Sequence, residues 1–245
     1  MIHDDAIVRP VPTKNSPALG PLALLAASEL DVQVLRRGLD LPDSRPLYMS
    51  RLHYNASEPK QPVIVGPIMG APYAVMLLEI LRAWGVRKAF FLGWCGSIDR
   101  QVRIGDILVP TGAWIDEGTS VHYEHFSKTA VQPDEGLKEI LHRGLQQRRI
   151  AFHSGSIWTT DAIFRETRTQ LHRYQRLGAL AVEMELSALL SAAAFYGFAM
   201  AAILTVSDEL FTFQWQPGFK TEAFKLSRRA VCELLIDLIK PQSDP

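Results

Sequence analysis

The sequence predicts an α/β protein in which helices cover a large, mainly parallel sheet, and three observations carry that prediction. Apolar, β-branched runs alternate with segments of helical period along the chain, the pattern left by strands and the helices that connect them. The 245 residues suffice for one sizeable α/β domain or two small ones. No Ser/Gly linker, charge block or internal repeat divides them, so residues 1–245 read as a single domain.

Taken in order, "AIVRPV" at 6–11 is the first candidate strand, and the apolar stretch 21–37 follows as a helix. "PLYMSRLHY" (46–54) and "PVIVGPI" (62–68) read as strands, with the polar residues 55–61 between them as a hairpin turn. A helix over 71–84 leads to the strands "KAFFLG" (88–93) and "DILVPTGAWI" (106–115). Residues 134–148 repeat with helical period, then come "FHSGSIWT" (152–159), a helix at 165–176, "ALAVEM" (179–184), a helix at 184–196 and "AMAAILTV" (199–206). The last helix, 219–239, carries apolar residues at Phe224, Val231, Leu234, Leu235 and Leu238. Pro59, Pro62, Gly66, Gly70, Gly93, Gly96, Gly105, Gly118 and Gly218 punctuate the boundaries. Eight strands are enough for a large central sheet.

Composition excludes several functions. Lys plus Arg and Asp plus Glu each number 26, so no net field exists to hold nucleic acid or an anionic membrane. The two cysteines, Cys95 and Cys232, form no C-x-x-C pair, which argues against a disulfide framework or a zinc ribbon. The start "MIHDDAIVRP" carries acids where a signal peptide needs basic and then apolar residues, and no run of 18 apolar residues occurs. A soluble, cytoplasmic protein is expected. Histidines 122, 125, 142, 153 and 172 form no H-E-x-x-H, so no metal is expected, nor any cofactor.

Two glycine-bearing loops follow candidate strands. Residues 63–81 run strand, Gly66 to Gly70 loop, helix, which aims backbone N–H groups at an anion or simply turns the chain. Its spacing matches neither a dinucleotide nor a triphosphate loop. The second places Trp94 and Cys95 between Gly93 and Gly96, where a parallel sheet binds ligands, so Trp94, Cys95 and Gly96 are candidate pocket residues. Cys95 reads as a buried thiol rather than a nucleophile.

Carboxylates mark two further positions. In "AVEMELSALL", Glu183 and Glu185 bracket Met184 where a greasy helix begins. One acid can cap backbone N–H groups, and the other can accept hydrogen bonds from a sugar diol against the apolar Met184. In "AILTVSDELF", Ser207 and Asp208 end a buried strand; Asp208 is either an acid of raised pKa or the N-cap of the next segment.

With "GPIMGAP", "GWCGSIDRQVRIGDILV", "WTTDAIF", "VEMELSALL" and "LTVSDEL" in this order over residues 66–210, the sequence resembles the nucleoside phosphorylases, including uridine phosphorylase and bacterial purine nucleoside phosphorylase. Nucleosidases share that fold. The resemblance implies a three-layer α/β/α sandwich, a homo-oligomer (dimer or trimer of dimers), and cleavage of a nucleoside by phosphate or water. It implies that Glu185 binds the ribose hydroxyls, Met184 lies against the sugar and Glu183 orders the site. Asp208 would face the base and give a proton or hydrogen bond to N7, and Phe164 would lie against the base. His3 would reach a neighbouring subunit's ribose. Uridine-specific relatives read uracil with a Gln and an Arg; here Thr167 and Thr169 stand in register and Arg168 is one place off. A purine, and a role in purine salvage, is therefore preferred.

The phosphate site departs from the family. Its early "GDPxR" loop corresponds to "LGPLA", with Ala23 at the arginine, and a second arginine becomes Phe91 in "FLGWCG", with Trp94 at a hydroxyl position. Arg51 is the remaining candidate, across a dimer interface or as a surface residue, and Gly70 can offer a backbone N–H to the anion. The glutamate-rich loop with which nucleosidases orient water is not evident at 18–24. Hydrolysis, or nucleoside binding without turnover, are the alternatives to phosphorolysis.

Overall fold

The segment "LALLA", expected to open a helix at 21–37, is a strand of the central sheet. In a computed structural model, which describes residues 6–123 and 129–240, it forms β1 (Leu22–Ala26), and the helix α1 starts only at Glu29–Gly38. β1 lies between two parallel neighbours, β4 (Val63–Gly66) and β5 (Lys88–Ser97). Leu24 and Ala26 face one core and Ala23 and Leu25 the other. With both faces buried, the strand shows no polar alternation, and five apolar residues look the same as a turn of buried helix. Ser28 ends the ambiguity by accepting a hydrogen bond from the Leu30 N–H as the α1 N-cap.

The other elements follow the expected alternation with local changes. Residues 46–54 are not one strand but part of a hairpin, β2 (Asp43–Leu47) and β3 (Ser50–Tyr54), turned at Tyr48 and Met49. β3 pairs antiparallel with β4, so residues 55–61 do connect a hairpin. Residues 6–11 are not a strand: Ile7 and Val8 are exposed, and Pro10 and Pro12 remove two ladder donors. After α2 (Ala71–Ala83) and β5 come β6 (Ile107–Asp116), the short β7 (Ala130–Val131), α3 (Glu135–Gln147) and β8 (His153–Thr160). The helix expected at 165–176 begins at α4 (Arg168–Arg176), behind a 3-10 turn at Ile163–Arg165. Then come β9 (Ala179–Glu183), α5 (Leu186–Tyr196), β10 (Ala199–Glu209), β11 (Gln216–Pro217) and α6 (Glu222–Ile239).

The sheet is mixed, and its longest pairings, β5 with β10 and β6 with β8, are parallel. Its strand order is β11-β10-β6-β8-β9-β5-β1-β4-β3-β2, and an extra pairing of β10 with β5 closes the middle strands on themselves. One face is covered by α2 and α5, the other by α1, α3 and α6, giving three layers. β5 runs to Ser97, past the loop expected at Gly93–Gly96. Glycine is needed within this strand because a Cβ at Gly93 would lie 2.8 Å from the Phe91 ring, and one at Gly96 would lie 2.5 Å from Leu210. β5 and β10 thus carry side chains beyond the sheet centre, toward the ends of β9 and β1. Among the described residues, no helix is long and apolar enough to cross a membrane.

Gly66 closes β4 against β1 and α1: a Cβ there would sit 2.5 Å from the Ala26 carbonyl oxygen and 2.7 Å from Val32 Cγ2. Gly66→Ala is expected to destabilise the protein by about 1–3 kcal/mol through overpacking, read as a lower urea midpoint with an unchanged slope.

Candidate active site

The helix α5 begins in the middle of the molecule, and its first free N–H groups must be satisfied there. Glu183, the last residue of β9, accepts hydrogen bonds from the N–H groups of Glu185 and Leu186, both at 2.8 Å, and from the Thr159 hydroxyl at 2.5 Å. Two residues on, Glu185 accepts one from the Gly70 N–H at 2.6 Å, joining the start of α5 to the start of α2. Both carboxylates are buried. Burial pushes both above the ordinary carboxylate range; for Glu183 the neighbouring Glu185 charge adds to this, and the donated hydrogen bonds pull each part of the way back.

These residues line a cavity of about 610 Å3 at the carboxyl ends of the central strands. β10 contributes Asp208 through a β-bulge: Val206 pairs with Cys95 and Asp208 with Gly96, leaving Ser207 as the extra residue. A bulge turns a strand and re-aims its side chains, and here it brings both Ser207 and Asp208 to the cavity wall. The Asp208 carboxylate accepts from the Ser207 hydroxyl at 2.6 Å and from Trp215 Nε1 at 2.9 Å. Burial raises its pKa, against the pull of these two donors. Asp208 therefore lies within β10 and does not cap a following segment.

The other expected residues fall in different places. Met184, half-buried, lies on the wall, as do Trp94, Cys95 and Gly96. Gly96 faces Asp208 directly, since a Cβ there would come within 3.0 Å of Asp208 Oδ2. Burial, with Asp208 and Glu183 adding to it, pushes the Cys95 thiol well above its ordinary value, so it is not an activated nucleophile. Phe164 stands at the rim, 96% exposed. His3 and His125 lie outside the described residues.

Neither residue expected at the anion reaches the wall. The Gly70 N–H is taken up by Glu185, and Arg51 lies exposed on β3, donating to the Ser44 hydroxyl at 3.0 Å. The match of "LGPLA" to an anion loop is also corrected: Ala23 is fully buried inside β1, and the loop at that strand's carboxyl end is Ala27 and Ser28, which line the cavity. Phe91 is likewise fully buried in the core. No Lys, Arg or His is found among the described residues that line the cavity.

Three features of the site carry no local signal in the sequence. Behind Trp94, the buried Asp31 accepts from Trp94 Nε1 at 2.8 Å and from Arg228 Nε and Nη2 at 3.0 and 2.5 Å, with the guanidinium 5.0 Å from the Trp94 ring centre. Asp31 and Arg228 are 197 positions apart, so only the fold joins them. Trp215, the donor to Asp208, follows β10 in an irregular stretch without period. Glu166, half-buried on the cavity wall, ends the 3-10 turn in a polar run that offers no pattern. Among the described residues no group of three or more His, Cys, Asp or Glu side chains is arranged to hold a metal ion.

The fold and this cavity define an α/β protein with carboxylates gathered at its strand ends around an apolar chamber. A family model, the phosphorylase superfamily, matches residues 15–240, and the chain belongs to that superfamily. It is 29% identical over 155 residues to the DeoD-type purine nucleoside phosphorylase of Bacillus cytotoxicus, a match that covers 62% of this chain and 66%, just under two thirds, of that relative. In structure it is similar to uridine phosphorylase from Vibrio fischeri (TM-score 0.75, 19% identity, 90% of this chain and 92% of the other). It is also similar to 5'-methylthioadenosine/S-adenosylhomocysteine nucleosidase from Helicobacter pylori (TM-score 0.72, 18% identity, 90% and 98%). Members of the family are nucleoside phosphorylases and nucleosidases.

Burial, with the Asp208 charge adding to it, raises the Glu166 carboxyl from 4.5 to about 8. Because the folded protein holds this proton more tightly than the unfolded chain, its contribution to stability is complete below pH 4.5 and is lost as pH rises to about 8. Glu166→Gln is expected to flatten the fall in Tm across that window, as measured by thermal denaturation at a series of pH values.

Proposed function

We propose that the protein cleaves the N-glycosidic bond of a purine nucleoside. The observation that carries this reading is that Glu185, Met184 and Asp208 line one cavity. Glu185 uses one oxygen for the Gly70 N–H, and its carboxylate retains acceptor capacity for the 2'- and 3'-hydroxyls of a ribose. Met184 forms the apolar wall for the sugar ring, and Glu183 holds the start of α5 in place, so that Glu185 is fixed before substrate arrives.

As the bond between C1' and the base nitrogen lengthens, the sugar gains oxocarbenium character and the base gains negative charge. Asp208, its pKa raised, delivers a proton to N7 as the leaving group departs. The buried carboxylates Glu183 and Glu185 stabilise the developing positive charge. The electron pair of the broken bond stays on the base, and C1' takes an oxygen from the acceptor. Phosphate is the acceptor in the first reading, supported by the family and by the purine nucleoside phosphorylase relative. One observation favours water as a second reading: no cation lines the described cavity, and Arg side chains are the usual partners of a phosphate dianion. Cytoplasmic purine salvage by a homo-oligomer belongs to the same proposal.

Incubation with adenosine and inosine, with and without phosphate, is expected to release free base, accompanied by sugar phosphate in the first reading and by free sugar in the second. Asp208→Asn is expected to lower kcat about 100–10,000-fold. Loss of a charged hydrogen bond in Glu185→Gln, worth about 1.5–3 kcal/mol, corresponds to a fall of about 10–100-fold in kcat/KM. Nucleoside binding without base release would leave a binding protein, and turnover unaffected by both substitutions would end the proposal.

A further inference from the structure

Four carboxyls line the cavity, and three of them are occupied. Glu183 takes three protein donors, Glu185 takes the Gly70 N–H, and Asp208 uses one oxygen for Ser207 and the other for Trp215. Glu166 is different. It is half-buried on the same wall, close enough to Asp208 to feel its charge, and among the described residues its side chain forms no hydrogen bond or ion pair. A carboxyl on a cavity wall that has no protein partner keeps its full capacity to bond a ligand. Its natural complement is a polar group on the ligand.

The position of Glu166 says which part of the ligand that is. It follows Phe164 on the turn Ile163–Arg165 and lies near Asp208, at the end of the cavity assigned above to the heterocycle, whereas Glu183 and Glu185 belong to the sugar end. We propose that Glu166 selects the base, forming paired hydrogen bonds with a heterocycle edge that presents a donor beside an acceptor. This rests on the nucleoside reading and adds a specificity-determining residue to it. Amidine edges, as at N1 and C6 of adenine, and lactam edges, as at N1 and C6 of hypoxanthine, share that chemistry; an unsubstituted purine lacks the pair on that edge. The raised pKa of Glu166, caused first by burial, is consistent with a carboxyl that keeps its proton near neutral pH. A protonated carboxyl offers one donor and one acceptor side by side, and so does a glutamine amide.

The test is calorimetric binding of the free bases adenine, hypoxanthine and unsubstituted purine to the wild type, Glu166→Gln and Glu166→Leu, which needs no turnover. Sites built to hydrogen-bond a ligand reject analogues lacking the partner strongly, so the wild type is expected to prefer adenine or hypoxanthine over purine by about 10-fold or more. Glu166→Gln is expected to keep that ratio within about 3-fold, and Glu166→Leu to bring it near one while purine affinity is retained or improved. A preference that survives in Glu166→Leu overturns the inference, as does a Gln variant as unselective as the Leu variant. Base binding with unaltered selectivity would remove only this role of Glu166. A wild type that binds none of the three bases and cleaves no nucleoside would remove the nucleoside reading with it.

Discussion

The candidate site depends on how the chain satisfies the start of α5. That helix is buried from Leu186 to Ala193, so its first N–H groups cannot turn to water. Glu183 meets two of them and is itself held by Thr159 from the neighbouring β8. Each such group left unpaired in the interior costs about 1–3 kcal/mol, which fixes the orientation of β9 and the angle at which α5 leaves it. Glu185 follows directly, and its bond to the Gly70 N–H draws in the start of α2. Glu183 and Glu185 are thus the means by which two core helices are tied together. Rigidity in the helices is transmitted to the cavity without any loop between.

Across the cavity the same economy appears in β5 and β10. Ser207 is an extra residue in β10, and the absence of a side chain at Gly96 leaves room for the Asp208 carboxylate. Bulge and glycine act together: the first re-aims Asp208, the second admits it. Trp94, two residues before Gly96, is anchored through its indole N–H by Asp31, and Asp31 is neutralised by Arg228. A buried carboxylate and guanidinium each lose hydration, and removal of one partner strands the other. The aromatic wall therefore rests on an ion pair that does not itself face the cavity.

Much of this order was legible in the sequence because strands and helices of opposite period alternate, and helices with one polar face, such as α3 and α6, declare themselves. β1 was not legible, since a strand buried on both faces carries no alternation. Residues 6–11 misled for another reason: Ile7, Val8 and Val11 are β-branched, but Pro10 and Pro12 cannot donate to a ladder. Glu183, Glu185 and Asp208 stood out as acids in apolar runs. Asp31, Arg228, Trp215 and Glu166 did not, because their significance lies in contacts between distant segments, or in a missing contact, that no local spacing encodes.

The charge of the cavity bears on the chemistry independently of any one residue. Four carboxyls and no lining cation among the described residues make a chamber that favours positive charge and resists negative charge, and low-dielectric walls strengthen both effects. A raised pKa at Glu166 is the protein's partial answer, since a carboxyl that keeps its proton adds no repulsion. A sugar approaching an oxocarbenium ion is stabilised in such surroundings, and a neutral acceptor enters them at less electrostatic cost than a phosphate dianion. For phosphate to be used, cations from outside this wall have to offset the carboxylates. Arg228 is not one of them while it remains committed to Asp31 behind Trp94, because freeing its guanidinium would leave Asp31 buried and unpaired. In the proposed reaction, the choice between acceptors therefore turns on charge balance at the cavity wall more than on the residues proposed to hold the nucleoside.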